Sequence, residues 1–366
     1  MAEMMDVWAV TEYGKPLEKI QLPIPHPQST EVVIKVTHSG VCHSDLHFWE
    51  GFFDMGGGKR VSFADRGVKL PAAVGHEILG TVYKLGPDAG AAAESLSSPI
   101  AIGQRRIVYP WLGCGKPGCQ PCQHQQDNMC TAQRSLGIVQ NGGMAAYVLV
   151  PHPKYLVESG DLNPTVACTF GCSGITTFSA CSKVLPATSE EPVVLIGAGG
   201  LGMAAIAVLR AMGHHNIVSV DVSDEKLSAA SKAGARSVVN TATSEDPTKA
   251  ILAVTGGPVV NLIDFVNSSK TASLVLGVLG KGAKWVQVGL MGGSLELPLA
   301  AVILRAITIY GNLTGNVAHL NEVTRLAREG LLPPVPVTTL PWDQANHALE
   351  LLRDGKVTGR LVLVAE

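Results

Sequence analysis

The run Val193-Val194-Leu195-Ile196-Gly197-Ala198-Gly199-Gly200-Leu201-Gly202 constrains this chain more than any other stretch. Four apolar residues make a buried strand, and the G-x-G-x-x-G after it is a tight turn that opens a helix. Glycine is needed there because a backbone without Cβ can approach a pyrophosphate seated on the helix N-terminus. Asp221 closes the next apolar run, about twenty residues on, where a carboxylate accepts hydrogen bonds from ribose hydroxyls. Its charge repels a 2′-phosphate, so Gly197, Gly199, Gly200, Leu201, Gly202 and Asp221 point to NAD rather than NADP.

The same rhythm continues on both sides of that turn. Strand-like runs at Ile217 to Val220, Val238-Val239, Leu262 to Val266 and Trp285 to Val288 alternate with helical patterns. The helices fall at Leu201 to Met212, Glu225 to Ala233, near Thr248 to Val254, and at Ser273 to Leu279. This is βαβ order and predicts a doubly wound parallel sheet of the Rossmann kind.

The first 110 or so residues read differently. Val32 to Val36, Thr81 to Leu85 and Arg105 to Tyr109 are strand candidates, with Gly40 as a turn into the next segment. Pro23, Pro25 and Pro27 hold their segment extended. A β-rich, barrel-like half is expected here. The last fifty residues hold helices at Glu322 to Glu329 and Trp342 to Asp354 and a strand at Gly359 to Val364. Such a set cannot close a core alone, so it is expected to return to the first half.

A chain of 366 residues has the length for two such domains. A net charge of -2 gives no reason to expect nucleic acid or an anionic membrane as partner. Glu3 and Asp6 stand where a signal peptide carries basic residues, so none is expected, and eight cysteines then suggest a reducing, cytoplasmic setting. The uncharged stretch from Pro192 to Leu209 is too short and too rich in glycine for a membrane span.

Thiols and imidazoles are good zinc ligands, and two groups of them stand out. Cys114, Cys119, Cys122 and Cys130 lie within seventeen residues, separated by four, two and seven, in a loop of glycines and prolines. Four thiolates closed on one tetrahedral ion leave no place for a substrate, so this zinc would be structural. His124 is an alternative ligand in that loop. The second group is scattered: Cys42, His43 and His47 in one stretch, His76 beside Glu77 in another, and Cys168 and Cys172 in a third. A Cys₂His selection from it would hold a catalytic zinc with one position open.

These residues, in this order, resemble the zinc-dependent medium-chain alcohol dehydrogenases over nearly the whole chain. The matches are Gly40-Val41-Cys42-His43-Ser44-Asp45, Gly75-His76-Glu77, the four-cysteine lobe, Gly171 to Thr176, Gly197 to Gly202, Asp221 with Lys226, and Gly359-Arg360. The resemblance implies a GroES-like β-barrel catalytic domain over residues 1–173, completed by 317–366, and a Rossmann domain over 174–316. It implies two zinc ions per chain. Cys42, His76 and Cys172 would hold the catalytic one, with Glu77 entering when water leaves, and the four-cysteine lobe would hold the structural one. Ser44 would pass the alcohol proton toward the cofactor ribose and His47 would pass it to solvent. His43 and Arg360 would touch the pyrophosphate, and Lys226 the adenosine ribose. Thr176, Val266 and Val288 would lie at the nicotinamide. Asp45 would steady the zinc region and Arg360. The substrate would be a primary or secondary alcohol, oxidised reversibly to aldehyde or ketone, and the assembly a homodimer or homotetramer.

The sequence departs from the family in two ways that bear on the site. The lobe's opening gap is four residues rather than two, with Lys116 where the family's first thiol stands. The segment between His47 and Gly75 is long and carries Trp49, Phe52, Phe53 and Met55. With Trp111, the rings of Trp49 and Phe52 would wall a pocket for bulky or aromatic alcohols. A zinc-free quinone or enone reductase on the same fold, and a non-catalytic nucleotide-binding protein, are the alternatives. The thiol–imidazole set argues against the reductase, and the Ser44–His47 proton path against the binder.

Overall fold

Six parallel strands form the sheet that carries the glycine turn. From one edge they run Ser237–Asn240, Ile217–Asp221, Val193–Ile196, Val259–Asp264, Leu279–Gln287 and Thr308–Gly311. The order reverses between Val193–Ile196 and Val259–Asp264, the crevice in which doubly wound sheets bind ligands. The computed structural model describes residues 2–96 and 98–365. Val193, Val194 and Leu195 are fully buried because helices cover both faces of the sheet. The helix Gly200–Ala211 follows the glycine turn and packs on the helix Ser173–Val184.

The other half is a largely antiparallel barrel-like sheet. Its spine is the ten-residue strand Val32–Val41, paired with Glu77–Leu85, Tyr147–Val150 and the C-terminal strand Arg360–Val364. The strand Val337–Pro341 lies parallel to Arg360–Val364. A hairpin of Met4–Val10 and Glu18–Pro23 joins Ala72–Ala73 in a separate three-stranded sheet. The spine does not turn at Gly40. That residue pairs with Glu77 inside the ladder, and a Cβ there would meet the Glu77 carboxylate at 2.0 Å. Glycine is required because a buried acid lies across the strand, and the turn follows two residues later, where the helix His43–Glu50 begins.

The long segment after His47 is an ordered hairpin. Phe52–Asp54 pairs with Arg60–Ser62 around a tip of Gly56, Gly57 and Gly58, all at positive φ. A Cβ on Gly56 would sit 2.0 Å from the Gly293 carbonyl oxygen, so the tip rests on the Gly292-Gly293 turn beyond the parallel sheet.

Candidate active site

The strand Val32–Val41 delivers Cys42, which begins the helix His43–Glu50. The strand Glu77–Leu85 is preceded by His76, and Cys172 begins the helix Ser173–Val184. The three elements converge so that one ligand atom from each of Cys42, His76 and Cys172 lies within 4.8 Å of the others, all buried. The two sulfurs are 4.0 Å apart. His76 Nδ1 lies 3.1 Å from Asp45 Oδ1, while its Nε2 is buried with no hydrogen-bond partner. A carboxylate on Nδ1 fixes the tautomer that leaves Nε2 free for a metal. An orphaned ring nitrogen facing two thiols fits zinc.

Asp45 is fully buried and clamps this arrangement. It also accepts hydrogen bonds from the Cys42 N–H at 2.8 Å and the Gly75 N–H at 3.0 Å. The Cys172 thiol is hydrogen-bonded to Cys42 and lowers the Cys42 pKa strongly, while the same contact and burial push the Cys172 thiol up. Burial opposes charge on His76, but the Asp45 carboxylate and its hydrogen bond raise its pKa above the usual value.

Glu77 and Arg360 form a second buried unit. Arg360 donates to Glu77 Oε2 at 2.6 Å, and the Ser173 N–H donates to Oε1 at 3.0 Å. Arg360 is therefore held by Glu77, not by Asp45, whose oxygens are committed to Cys42, Gly75 and His76. Glu77 stands outside the converged trio, with burial pushing its pKa up against the pull of Arg360. Cys168 points its thiol to the Thr165 carbonyl at 3.4 Å and lies outside the trio as well.

The four-cysteine lobe closes despite its longer gap: all four sulfurs lie within 4.8 Å of one another. Gly115 and Gly118, at φ of 64° and 87°, fold the extra residues back on themselves. The Lys116 N–H pulls the Cys114 thiol down to about 7. His124 instead pairs with the Gln120 carbonyl and takes no part in the cluster.

The glycine turn fits a dinucleotide. Gly197 adopts φ 97°, and a Cβ on Gly202 would strike the Gly197 carbonyl at 2.0 Å. Nothing lies within 4 Å of where a Gly199 Cβ would be, which leaves room for a phosphate. Arg360 packs against Gly200, and its buried Nε has no partner. Asp221 is oriented by three backbone N–H groups, those of Ala198, Val222 and Ser223, at 2.7 to 3.0 Å.

One cavity of about 300 Å³ joins these parts. Cys42, His43, Ser44, His47, Trp111, Cys172, Thr176, Val266, Val288 and Arg360 line it, and so do the glycine turn, Asp221 and Lys226. Burial depresses the pKa values of His43 and His47. Trp111 packs on the His76 ring at 5.3 Å and donates to the Gly171 carbonyl at 3.1 Å. Trp49 and Phe52 are not in the wall. The Trp49 indole donates to the Lys15 carbonyl, and Phe52 lies under the Arg60 guanidinium at 4.0 Å. Trp49 sits near the end of the helix His43–Glu50 and Phe52 opens the hairpin, and Phe53 is the ring that meets His47, at 5.3 Å.

Sequence reasoning missed Leu290, Met291, Asn312, Leu313 and Thr314, which also line this cavity. The available signal was a pair of apolar residues, Leu290-Met291, placed directly before the Gly292-Gly293 turn.

Comparison with known proteins agrees with this geometry. A family described as Alcohol dehydrogenase GroES-like domain matches residues 28–161, and one described as Zinc-binding dehydrogenase matches 200–329. An NAD-dependent alcohol dehydrogenase of Sulfurisphaera tokodaii is 38% identical, covering 98% of this chain and 100% of that protein. One from Saccharolobus solfataricus is 36% identical, covering 97% and 98%. Among solved structures, the alcohol dehydrogenase of Aeropyrum pernix superposes with a TM-score of 0.86 at 28% identity, covering 98% of this chain and 99% of that one. The acetophenone reductase of Geotrichum candidum, solved with NAD, gives 0.83 at 26%, covering 100% and 98%.

Proposed function

The chain belongs to the zinc-binding medium-chain alcohol dehydrogenases, and from that premise we propose that it oxidises bulky or aromatic primary and secondary alcohols, reversibly. It is an NAD-dependent zinc enzyme. The observation that carries the reading is the single cavity lined by Cys42 and Cys172 of the converged Cys42–His76–Cys172 set, by Ser44 and His47, and by the glycine turn. Residues 1–173 with 317–366 carry the metals, and residues 174–316 carry the dinucleotide.

When bound, zinc acts as Lewis acid toward the alcohol oxygen and the nicotinamide accepts the hydride. Cys42, His76 and Cys172 hold the metal, and Asp45 keeps His76 in the required tautomer. Ser44 takes the hydroxyl proton and His47 relays it outward. A pKa depressed by burial keeps His47 neutral, and so able to accept a proton, at pH 7. His43 and Arg360 neutralise the pyrophosphate, Asp221 and Lys226 hold the adenosine ribose, and Thr176, Val266 and Val288 orient the nicotinamide. Glu77, one residue from His76 and paired with Arg360, would be the group to enter the metal's shell if a bound water left. Four thiolates in the lobe hold the structural zinc.

Preference for bulky alcohols is supported by Trp111, Leu290, Met291 and Leu313 in the wall, and by the similarity to the Geotrichum acetophenone reductase, whose named substrate is an aromatic ketone. The hairpin tip on Gly293 serves as a lid at the mouth. Self-association is supported by the edge strand Thr308–Gly311 beside the helix Leu299–Arg305, whose Leu299, Ile303 and Leu304 are 78%, 77% and 75% exposed. Light scattering at micromolar concentration is expected to return a dimer or tetramer. No helix among the described residues is long and apolar enough to cross a membrane. A cytoplasmic setting is supported by cysteines that are all free.

The test is NADH formation at 340 nm with benzyl alcohol and with ethanol. A kcat/KM ratio above tenfold, ~1.4 kcal/mol of added transition-state binding, is expected. A ratio of one or less would exclude the aromatic pocket. Silence on both, with NAD bound, would favour the binding-protein alternative.

A further inference from the structure

Behind the metal site lies a separate cavity of about 210 Å³. One wall is Val166, Phe170 and Gly174, the residues flanking Cys172, and it continues into Val323 and Ala327 of the helix Val317–Arg328. The facing wall is Ala204, Ala207 and Val208 of the helix Gly200–Ala211, whose N-terminus is the glycine turn. The segment Leu332 to Val335 closes one side, and the exposed rim residues Asn163 and Pro334 mark a mouth.

The polar side chains inside are already committed. Thr169 donates to the Val166 carbonyl at 2.7 Å, Ser173 to Thr169 at 2.9 Å, and Thr177 to Ser173 at 2.8 Å. Each hydroxyl proton is spent within its own helical segment, so among the lining side chains only the rim amide of Asn163 is left as a donor. A buried water needs two to four polar partners, and a dry apolar cavity of ~150 Å³ holds one benzene ring. No acid, amine or guanidinium lines the space, which excludes a charged ligand.

We propose that this cavity is a second ligand site, which takes one uncharged monocyclic aromatic or short alkyl molecule. Such a ligand touches the turn that carries Cys172 on one side and the helix that carries the phosphate cradle on the other. Any relative movement of the two walls changes its contacts, so its binding is coupled to that of the dinucleotide, and the coupling is reciprocal. The coupling rests on the NAD reading; the binding does not.

The experiment uses the zinc-loaded enzyme, saturated with NADH and a competing alcohol so that the catalytic cavity is filled. Fluorobenzene is followed by ¹⁹F NMR and displaced with toluene. Binding that persists under these conditions, and weakens at least tenfold in both Ala207→Leu and Ala327→Leu, is expected. Absence of binding in the wild type, or equal binding in both plugged variants, overturns the site. The affinity for NADH is then measured by fluorescence with and without toluene. A change of at least twofold in the wild type, absent from the plugged variants, is expected. An unchanged affinity overturns the coupling, and failure to bind NADH at all instead refutes the cofactor reading.

Discussion

Asp45→Asn isolates the clamp beneath the catalytic metal. The carboxylate has no exposed surface and receives three N–H groups: Cys42 and Gly75 from the backbone, and His76 Nδ1. An asparagine keeps the volume and one acceptor oxygen. If that oxygen faces Gly75 and His76, its NH₂ is aimed at the Cys42 N–H; flipped, the NH₂ is aimed at the other two. Either way at least one buried N–H loses its partner, which costs about 1–3 kcal/mol. The charge that holds His76 is also gone, and losing such a partner typically weakens metal binding about 10–100-fold.

The four-cysteine lobe shares none of these contacts. Titrating holoenzyme with a chelating dye is therefore expected to release one zinc per chain from Asp45→Asn at about 10–100-fold lower dye concentration than from the wild type. The second zinc should leave at the wild-type concentration. Loss of activity should follow the first ion alone. Release of both ions together, or an unshifted first release with intact folding, would refute the assignment of Asp45 as the His76 clamp.

Three further outcomes follow from the ionisable groups around the site. Arg360→Met strands the Glu77 carboxylate and should cost about 3–5 kcal/mol in urea unfolding, with Glu77→Gln in the same chain restoring most of it. Burial already raises the Glu77 pKa above its usual 4.5, and Arg360 opposes the rise, so the folded value climbs further in Arg360→Met. A raised folded pKa on an acid means that stability falls as pH increases from 4.5 through that value, and a stability curve flat over that window would count against the ion pair. Asp221→Ala removes the charge facing a 2′-phosphate, worth about 3–4 kcal/mol at 5 Å with an effective dielectric near 20. The NADP-to-NAD ratio of kcat/KM should then rise at least tenfold, and no change would place the adenosine ribose elsewhere. Burial holds the His47 pKa below 6.5, so alcohol oxidation should lose its proton relay only below that pH. His47→Gln should flatten that acid limb of kcat/KM, and an unaltered limb would remove His47 from the proton path.

The parallel half was legible because its signals are local. The strand Val193–Ile196 and the helix Asp224–Ala233, read as Glu225 to Ala233, follow from apolar runs and the glycine turn, all within a few residues. The barrel half was less so. The strand Glu77–Leu85 opens with a fully buried glutamate, which no apolar pattern announces, because Arg360 satisfies it from 283 residues away. The strand Val337–Pro341 is largely exposed beside a proline-rich stretch and shows no alternation to read. Trp49 and Phe52 were placed in the pocket from composition. How the hairpin packs is decided by Phe53 against His47 and Phe63, a contact made only once the chain has folded, and no hairpin residue lines the cavity.

The same distinction separates the two metal sites. Four thiols within seventeen residues need only Gly115 and Gly118 to close, and the spacing alone reveals them. Cys42 and Cys172 are 130 residues apart, and closing so long a loop costs about 2 kcal/mol more than closing the lobe. That site cannot exist before the fold does, and its spacing carries no signature without the family resemblance. The structure meets the cost with contacts the lobe lacks: the Asp45 clamp, the Glu77–Arg360 pair and the Trp111 ring on His76. Each joins segments distant in sequence at the point where a ligand is delivered. The lobe is fixed by its own turns, and the catalytic set by its neighbours. That is why a change at Asp45, which touches no metal, is expected to release one zinc and leave the other in place.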